Sequence, residues 1–252
     1  MTITELSPLV RRITAGNSSV FTGPGTNTYL VGKEEITVID PGPAMPEHIE
    51  NIAKACGDDI KQILVTHTHP DHSPGAKLLH QRTAAPVMGM YALHKQTQDK
   101  TFKANKVLED GDEIREIEYT LKAIHTPGHA SNHLCYLLEE EKMIFTGDHI
   151  MEGSTVVIGP PDGNMNDYLN SLQRLLSYKV DFFAPGHGNF MHEPKKTIKS
   201  IIRHRLSREN KVLRKLKDFG ETTLDNLVKF VYDDVSEQLH PIALYSLEAH
   251  LI

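Results

Sequence analysis

The stretch THTHPDHSPG, residues 66–75, places three histidines and an aspartate within six consecutive positions. The stretch before it, IKQILV (60–65), is rich in apolar and β-branched residues, which is typical of a buried strand. The stretch after it begins with Ser73, a candidate N-cap, and Pro74, which suits the first turn of a helix. The cluster therefore lies on a loop that leaves the end of a strand, where open α/β sheets place their ligands.

Three later segments each add one candidate ligand where a predicted strand ends in a turn. TPGH supplies His129, TGDH supplies Asp148 and PGHG supplies His187. Strands that end on one edge of a sheet would bring these side chains close to the cluster at 66–75. Neutral imidazoles and carboxylates are ligands of zinc, and a catalytic zinc site leaves one position open for water. The sequence therefore predicts a metal site.

The spacing of the candidate ligands divides them into two sets. In an extended loop, residues i and i+2 point to the same side, so the two histidines of HTH can hold one ion. The adjacent aspartate and histidine of PDH diverge and suit a second ion. The predicted sets are His67, His69 and His129 for one ion, and Asp71, His72 and His187 for the other. Asp148 has two oxygens and can bridge both ions, which at about 3.5–4 Å apart would share one hydroxide as the nucleophile.

Other residues near these motifs are candidates for the surroundings of the ions. His133 and His149 flank predicted ligands, and Asn27 lies in GPGTNTYLVG (23–32). Each could be an outer partner of a ligand or line the pocket. The segment IGPPDGNMNDY (158–168) carries two prolines and two glycines, so it is predicted to be a shaped loop that borders the active-site cleft. Six isolated histidines are interpreted as ordinary core or surface residues: His48, His80, His94, His204, His240 and His250.

The length of 252 residues can hold one large α/β domain with a small appendage. We predict a metal-binding catalytic domain over residues 1–194, and a basic helix with a helical, winged-helix-like appendage over residues 195–252. The sequence has no apolar run of membrane-spanning length and no recognisable export signal. Cys56 and Cys135 are interpreted as reduced core thiols. The protein is therefore expected to be cytoplasmic and not to bind a membrane.

The net charge of −6 is unevenly distributed along the chain. Residues 195–217 contain ten basic residues and one acidic residue, a local charge of +9. One interpretation is a solvated helix face, because isoleucines and leucines recur near helical spacing and can pack on the other face. The alternative is a stripe that attracts phosphates, in which Arg203, Arg205 and Arg208 would contact RNA.

The motifs HTHPDH, TPGH, GDH and PGHG, in this order and spacing, resemble the metallo-β-lactamase superfamily over about residues 8–190. The resemblance implies an α/β fold of the αβ/βα four-layer sandwich type, with two sheets facing each other and helices outside. It also implies two zinc ions, which iron or manganese could replace, held by the two sets above. Asp148 would lie between them, and Asp71 would orient the nucleophile. True β-lactamases usually have a cysteine where Asp148 stands, which argues against penicillin-type substrates.

The stretches GPGTNTYLVG, TGDHI, DYLNSLQRLL, PGHG and HRLSREN resemble one branch of that superfamily, β-lactamase-like protein two, along nearly the whole chain. The better-studied animal members of this branch are zinc-dependent endoribonucleases that act on single-stranded RNA. The branch carries a C-terminal winged-helix-like appendage, which would correspond here to residues 221–252. The resemblance therefore favours a phosphodiesterase that cleaves single-stranded RNA.

Two other functions fit the same ligands. A thioesterase of the glyoxalase II type would act on small thioesters such as hydroxyacylglutathione. A persulfide dioxygenase-like enzyme would use one iron ion and would be an oxidoreductase. Flavodiiron relatives have glutamate where His69 stands, which argues against a diiron redox protein. The predicted partner is therefore single-stranded RNA or a small ester or thioester.

Overall fold

The first of two β-sheets is built from the N-terminal half of the chain. The structure, a computed structural model, describes residues 2–57 and 59–252. Within those residues the first sheet has the strand order β1-β2-β3-β4-β5-β6-β7. Its strands are β1 (Ile3–Glu5), β2 (Val10–Thr14), β3 (Asn27–Val31), β4 (Ile36–Ile39), β5 (Ile60–Leu64), β6 (Val87–Gly89) and β7 (Lys106–Val107). Strands β4 to β7 run parallel, so the loops that follow β4 and β5 leave the same edge.

The second sheet is built from the following part of the chain. Its order across the described residues is β13-β12-β11-β10-β9-β8. Its strands are β8 (Glu113–Arg115), β9 (Thr120–His125), β10 (Leu134–Leu138), β11 (Met143–Gly147), β12 (Phe182–Pro185) and β13 (Met191–His192). Strands β11 and β12 are parallel, whereas the other neighbours are antiparallel. The carboxyl ends of β11 and β12 therefore meet at one edge.

Helices cover the outer face of each sheet, which gives four layers. They are α1 (Pro46–Cys56) and α2 (Pro74–Thr83) on the first sheet, and α3 (Met165–Leu175) and α4 (Pro194–Phe219) on the second. Between the sheets, Tyr29 and Leu64 of the first pack with Tyr136 and Phe145 of the second. The αβ/βα sandwich implied by the resemblance is confirmed. It forms because the inner strands are apolar on both faces and need cover on both sides.

The long helix α4 joins the sandwich to a small C-terminal appendage. Its N-terminal half packs on the second sheet and α3 through Ile198 and Ile201. Its C-terminal half packs through Val212 on α5 (Leu224–Val231) and α6 (His240–Ala249), which follow with a short 3₁₀ helix at Glu237–Leu239 between them. The basic helix therefore belongs to both units rather than to the appendage alone. No helix in the described ranges is long and apolar enough to cross a membrane.

Removal of a buried side chain from the second outer layer should destabilise the sandwich. Leu172 of α3 is 0% exposed, whereas Leu206 of α4 is 45% exposed. We expect Leu172→Ala to lower the free energy of unfolding by about 2–5 kcal/mol, because it leaves a cavity in a closed core. Leu206→Ala should change it by less than about 0.5 kcal/mol. Denaturant unfolding of both variants measures the difference, and equal effects would contradict the packing described.

Candidate metal centre

Four loops converge at one end of the facing sheets and carry all seven predicted ligands. The loop after β5 of the first sheet contributes four ligands, and the loops after β9, β11 and β12 of the second sheet contribute one each. Because β11 and β12 are parallel neighbours, with Gly147 paired to Pro185, their ends place Asp148 beside His187. The candidate ligand atoms fall into two groups, and within each group they lie within 4.8 Å of one another.

The first group consists of three imidazole nitrogens that face one point. His67 Nε2 lies 3.0 Å from His69 Nδ1, and His129 Nε2 lies 2.9 Å from the same atom. Burial, followed by the nearby His129, lowers the pKa of His69 to about 3. Burial, followed by the nearby His72, also lowers the pKa of His67. Both rings are therefore neutral at physiological pH, and a neutral imidazole is the form that binds a metal ion.

The second group combines two imidazoles with two carboxylates. Asp148 Oδ1 lies 3.2 Å from His72 Nε2 and 3.3 Å from His187 Nε2, and Asp71 Oδ2 lies 3.2 Å from His187 Nε2. Burial alone would lower the pKa of His187, but Asp148 and then Asp71 raise it to about 10. This group therefore attracts positive charge. The other oxygen of Asp148, Oδ2, lies 3.8 Å from His129 Nε2 of the first group, so its carboxylate faces both groups.

Several of these buried atoms have no hydrogen-bond partner among the described residues. They are His72 Nε2, Asp148 Oδ1 and His187 Nε2. A buried polar atom without a partner is costly, and two such imidazoles and a carboxylate around one point are the donor set of a divalent cation. The second group therefore fits a bound metal ion, and the three converging imidazoles of the first group fit one as well.

Hydrogen bonds to the far side of each ring fix which nitrogen faces the centre. The Nδ1 atoms donate as follows: His72 to Asp40 Oδ2 (2.8 Å), His129 to the Val157 carbonyl (2.7 Å), His187 to the Gly25 carbonyl (3.2 Å) and His67 to Thr66 Oγ1 (3.0 Å). With Nδ1 engaged in this way, Nε2 is the nitrogen of each of these rings that faces the centre and that an ion would bind. His69 instead presents Nδ1, as its short contacts show.

Sequence reasoning missed Asp40, which is the anchor of the loop after β5. Its carboxylate is buried and accepts hydrogen bonds from the Thr66 backbone N–H, from Thr66 Oγ1 (both at 2.7 Å) and from His72. A signal was present, since the aspartate ends the strand sequence EITVID and β4 is parallel to β5. A polar residue at the carboxyl end of a strand beside the ligand strand is a candidate partner of the ligands.

The three residues predicted to surround the ligands, His133, Asn27 and His149, lie in different environments. His133 Nε2 accepts the Asp148 backbone N–H at 3.2 Å, and Asn27 donates to the Pro185 and Gly188 carbonyls on either side of His187. Both therefore contact loops that carry candidate ligands. His149 is fully buried and packs on Tyr168, with ring centroids 4.9 Å apart, so it does not line an open pocket. Their roles toward an ion stay predictions.

The segment at 158–168 lies directly behind the loop of His129. The largely buried Asp162 accepts hydrogen bonds from Ser131 Oγ (2.6 Å), the Ser131 backbone N–H (3.2 Å) and Gln98 Nε2 (3.0 Å). It thereby ties the His129 loop to the neighbouring loop at 91–99, whose Asp99 backbone N–H donates to the Thr68 carbonyl. The segment supports the first group from behind.

The predicted RNA contacts at Arg205 and Arg208 are wrong, because both side chains are buried. Arg205 is 2% exposed and donates to the Val156 carbonyl, and Arg208 is 6% exposed and pairs with Asp234. Only Arg203 of the three is exposed. The spacing held a signal for this. Arg205 and Arg208 continue the i, i+3, i+4 pattern of Ile198, Ile201 and Val212, which is the buried face of α4.

Comparison with known proteins supports the same assignment along the chain. The family model described as "Metallo-beta-lactamase superfamily" matches residues 21–187, and that of the "Beta-lactamase associated winged helix domain" matches residues 223–252. The "Beta-lactamase-like protein 2 homolog" of Caenorhabditis elegans is 32% identical over 92% of this chain and 79% of its own length. The "Atrochrysone carboxyl ACP thioesterase" of Aspergillus chevalieri is 32% identical over 96% of this chain and 79% of its own length.

Solved structures share the fold at lower sequence identity. A metallo-beta-lactamase family protein from Thermus thermophilus superposes with a TM-score of 0.81 at 21% identity. The superposition covers 98% of this chain and 93% of that chain. The likeness therefore extends over the sandwich and the C-terminal appendage together.

Loss of the Asp148 carboxylate should weaken metal binding at both groups, because each of its oxygens faces one of them. We expect two divalent ions per chain in the parent at saturation, and weaker binding of both in Asp148→Ala. Zinc titration with elemental analysis measures this. Asp181→Ala, at an exposed carboxylate beside β12, should match the parent. A saturated parent with one ion or fewer, or unchanged affinity in Asp148→Ala, would contradict the two-ion interpretation.

Proposed function

This chain belongs to the metallo-β-lactamase superfamily and is a metal-dependent hydrolase, and on that premise we propose that it is a two-zinc thioesterase. The observation that carries the two-ion part is the orientation of Asp148, whose Oδ1 faces His72 and His187 while Oδ2 faces His129. One carboxylate shared in this way is the arrangement that holds two ions close enough to act on one substrate. Zinc suits the mixed imidazole and carboxylate donors.

The residues of the centre divide the work between them. Bound zinc would supply Lewis acidity toward water and toward the carbonyl oxygen of the substrate. The side chain of Asp71 is 27% exposed, against 11% for Asp148, so it is the carboxylate that borders the open face. It can hold the attacking water and accept its proton. Asp40, Val157 and Gly25 keep the imidazoles in one tautomer, so the ligands need no rearrangement during the reaction.

A thiolate is the leaving group that suits the titration states of this centre. Burial raises the pKa of Asp148, but His187 and His72 outweigh it and hold the pKa well below its usual range. The pKa of Asp71 is also lowered, by His72 and His187 against the effect of burial. Both carboxyls are therefore ionised at neutral pH, so neither holds a proton for a leaving group before the water attacks. A thiol has a pKa of about 8.5, so a thiolate leaves with little need of one. The thioesterase name of the Aspergillus chevalieri relative supports the same substrate class.

Cleavage of single-stranded RNA is the second candidate, and an exposed basic patch favours it. Lys195, Lys196, Lys199 and Arg203 border a surface cavity of about 470 Å³ on the N-terminal half of α4. Lys196 is paired with Glu193, whereas Lys195, Lys199 and Arg203 are exposed and form no ion pair within the described part of the chain. This basic patch could hold a polyanion without the buried arginines.

A parallel assay on one zinc-loaded preparation separates these functions. We expect the protein to hydrolyse an acyl-glutathione thioester, measured as the appearance of free thiol. We expect no cleavage of nitrocefin. Chelation should abolish the activity and zinc should restore it. Asp71→Asn should lower kcat by at least about 100-fold, because the proton acceptor is lost. Asp181→Asn is the matched control and should keep the parent rate.

The same assay includes single-stranded and double-stranded RNA, and an oxygen-uptake measurement with glutathione persulfide on an iron-loaded preparation. Rapid cleavage of single-stranded RNA without thioester hydrolysis would replace the thioesterase proposal by the second candidate. In that case, reversal of Lys195, Lys199 and Arg203 to glutamate should weaken RNA binding and flatten its salt dependence. Oxygen uptake without hydrolysis would overturn both and point to the dioxygenase.

A further inference from the structure

The acceptor that orients His129 lies on a segment outside any sheet or helix. Val157, whose carbonyl accepts the His129 Nδ1–H, stands in the stretch 155–159, which has no regular secondary structure. Among the described residues, no ladder hydrogen bond holds Val156, Val157 or Ile158 to a strand. The position of the Val157 carbonyl is therefore set by side-chain contacts and packing of its neighbours. Val156 and Ile158 are buried in the core between the second sheet, α3 and α4.

The first of these contacts comes from α4. Arg205 donates from its guanidinium to the Val156 carbonyl, which directly precedes the carbonyl that His129 uses. Its guanidinium carbon also lies 5.3 Å from the centre of the Tyr168 ring. Tyr168 in turn packs closely on Gly128, which directly precedes His129. The approach is so close that a Cβ added at Gly128 would lie 2.4 Å from the Tyr168 Cα. A planar, always charged guanidinium can stack and donate together, which a lysine ammonium cannot.

The second contact comes from the appendage. The backbone N–H of Ile158 donates to Ser246 Oγ on α6 at 3.2 Å, and Ser246 is itself buried. The two residues that flank Val157 are thus held by side chains of two different helices. One of these helices, α6, belongs to the appendage, which also packs on the C-terminal half of α4.

We propose that Arg205 and Ser246 are positioning residues for His129, so that docking of α4 and α6 completes the first metal site. They fix the Val157 carbonyl, which keeps Nδ1 of His129 protonated and directs Nε2 to within 2.9 Å of His69 Nδ1. The inference rests on the proposed function in one respect, that the three-histidine group holds an ion. It gives the appendage a part in hydrolysis that requires no contact with the substrate.

The test compares Arg205→Gln and Ser246→Ala with Arg208→Gln, a matched control at another buried arginine of α4. Arg208 donates to the Val231 carbonyl and to Asp234, and among the described residues it has no hydrogen bond to the stretch 155–159. We expect Arg205→Gln to lower zinc affinity at the three-histidine group by about 10-fold, the lower end of the cost of losing an outer partner, because the Val157 carbonyl is displaced but still present. Binding at the group of Asp71, His72 and His187 should stay near the parent value. Ser246→Ala should show a smaller loss at the same group.

Imidazole ¹⁵N NMR of the metal-free protein supplies a readout that does not depend on metal binding or activity. In the parent, His129 should be the Nδ1–H tautomer with a protected proton, and in Arg205→Gln this signal should broaden or give way to a tautomer mixture. Arg208→Gln should unfold at a lower temperature yet keep both the His129 signal and the zinc affinities. In the hydrolysis assay, Arg205→Gln should lower kcat with little change in KM.

Two results would overturn the positioning role. One is a folded Arg205→Gln with the parent's His129 tautomer and zinc affinities. The other is an equal loss in Arg208→Gln, which would indicate general loosening of α4. Should Arg205→Gln fail to fold, Ser246→Ala decides by the same two measurements. Failure of the proposed function looks different: the parent itself would bind fewer than two zinc ions or hydrolyse no thioester, while the NMR comparison would still decide the positioning role.

Discussion

The ligand atoms of seven side chains converge on two neighbouring points at one end of the facing sheets. Imidazole nitrogens and carboxylate oxygens that face each other at about 3 Å without a shared proton or cation are unfavourable, so each must be held in place from behind. The structure does this with hydrogen bonds to the far nitrogen of the rings. The acceptors are a buried carboxylate at Asp40, a threonine hydroxyl, and the backbone carbonyls of Val157 and Gly25.

The sandwich supplies those acceptors because each sheet contains parallel strands that end at the same edge. Strands β4 and β5 bring Asp40 against the loop that carries His72, and strands β11 and β12 bring Asp148 against His187. Each half of the chain alone would hold only part of either ligand group. Formation of the centre therefore requires that the two sheets face each other across the apolar core of Tyr29, Tyr136 and Phe145.

Charge along the chain turned out to be a poor guide to exposed charge in the fold. The +9 stretch supplies two buried arginines, one of which ends on Val156 and the other on Asp234. The lysines and Arg203 on the opposite side of α4 form the basic patch. One helix thus serves as cover for the second sheet, as the attachment of the appendage and as a solvated cationic face. Position along α4 separates the first two uses, and helical phase separates both of them from the third.

The sequence alone identified the seven candidate ligands and the strand and helix on either side of the loop at 66–75, and the resemblance of its motifs to a known family implied the fold class. It could do so because a ligand cluster on a strand-to-helix loop, apolar strands and PGHG-type turns are local patterns whose side chains carry the chemistry. The partners behind the ligands were decided only by the tertiary structure. Val157 and Gly25 act through backbone carbonyls, which every residue possesses, so nothing in their side chains marks them. The burial of Arg205 also depends on the tertiary structure, because it requires that one particular face of α4 packs on the second sheet and on α3. Which face does so depends on segments that are far apart in the chain.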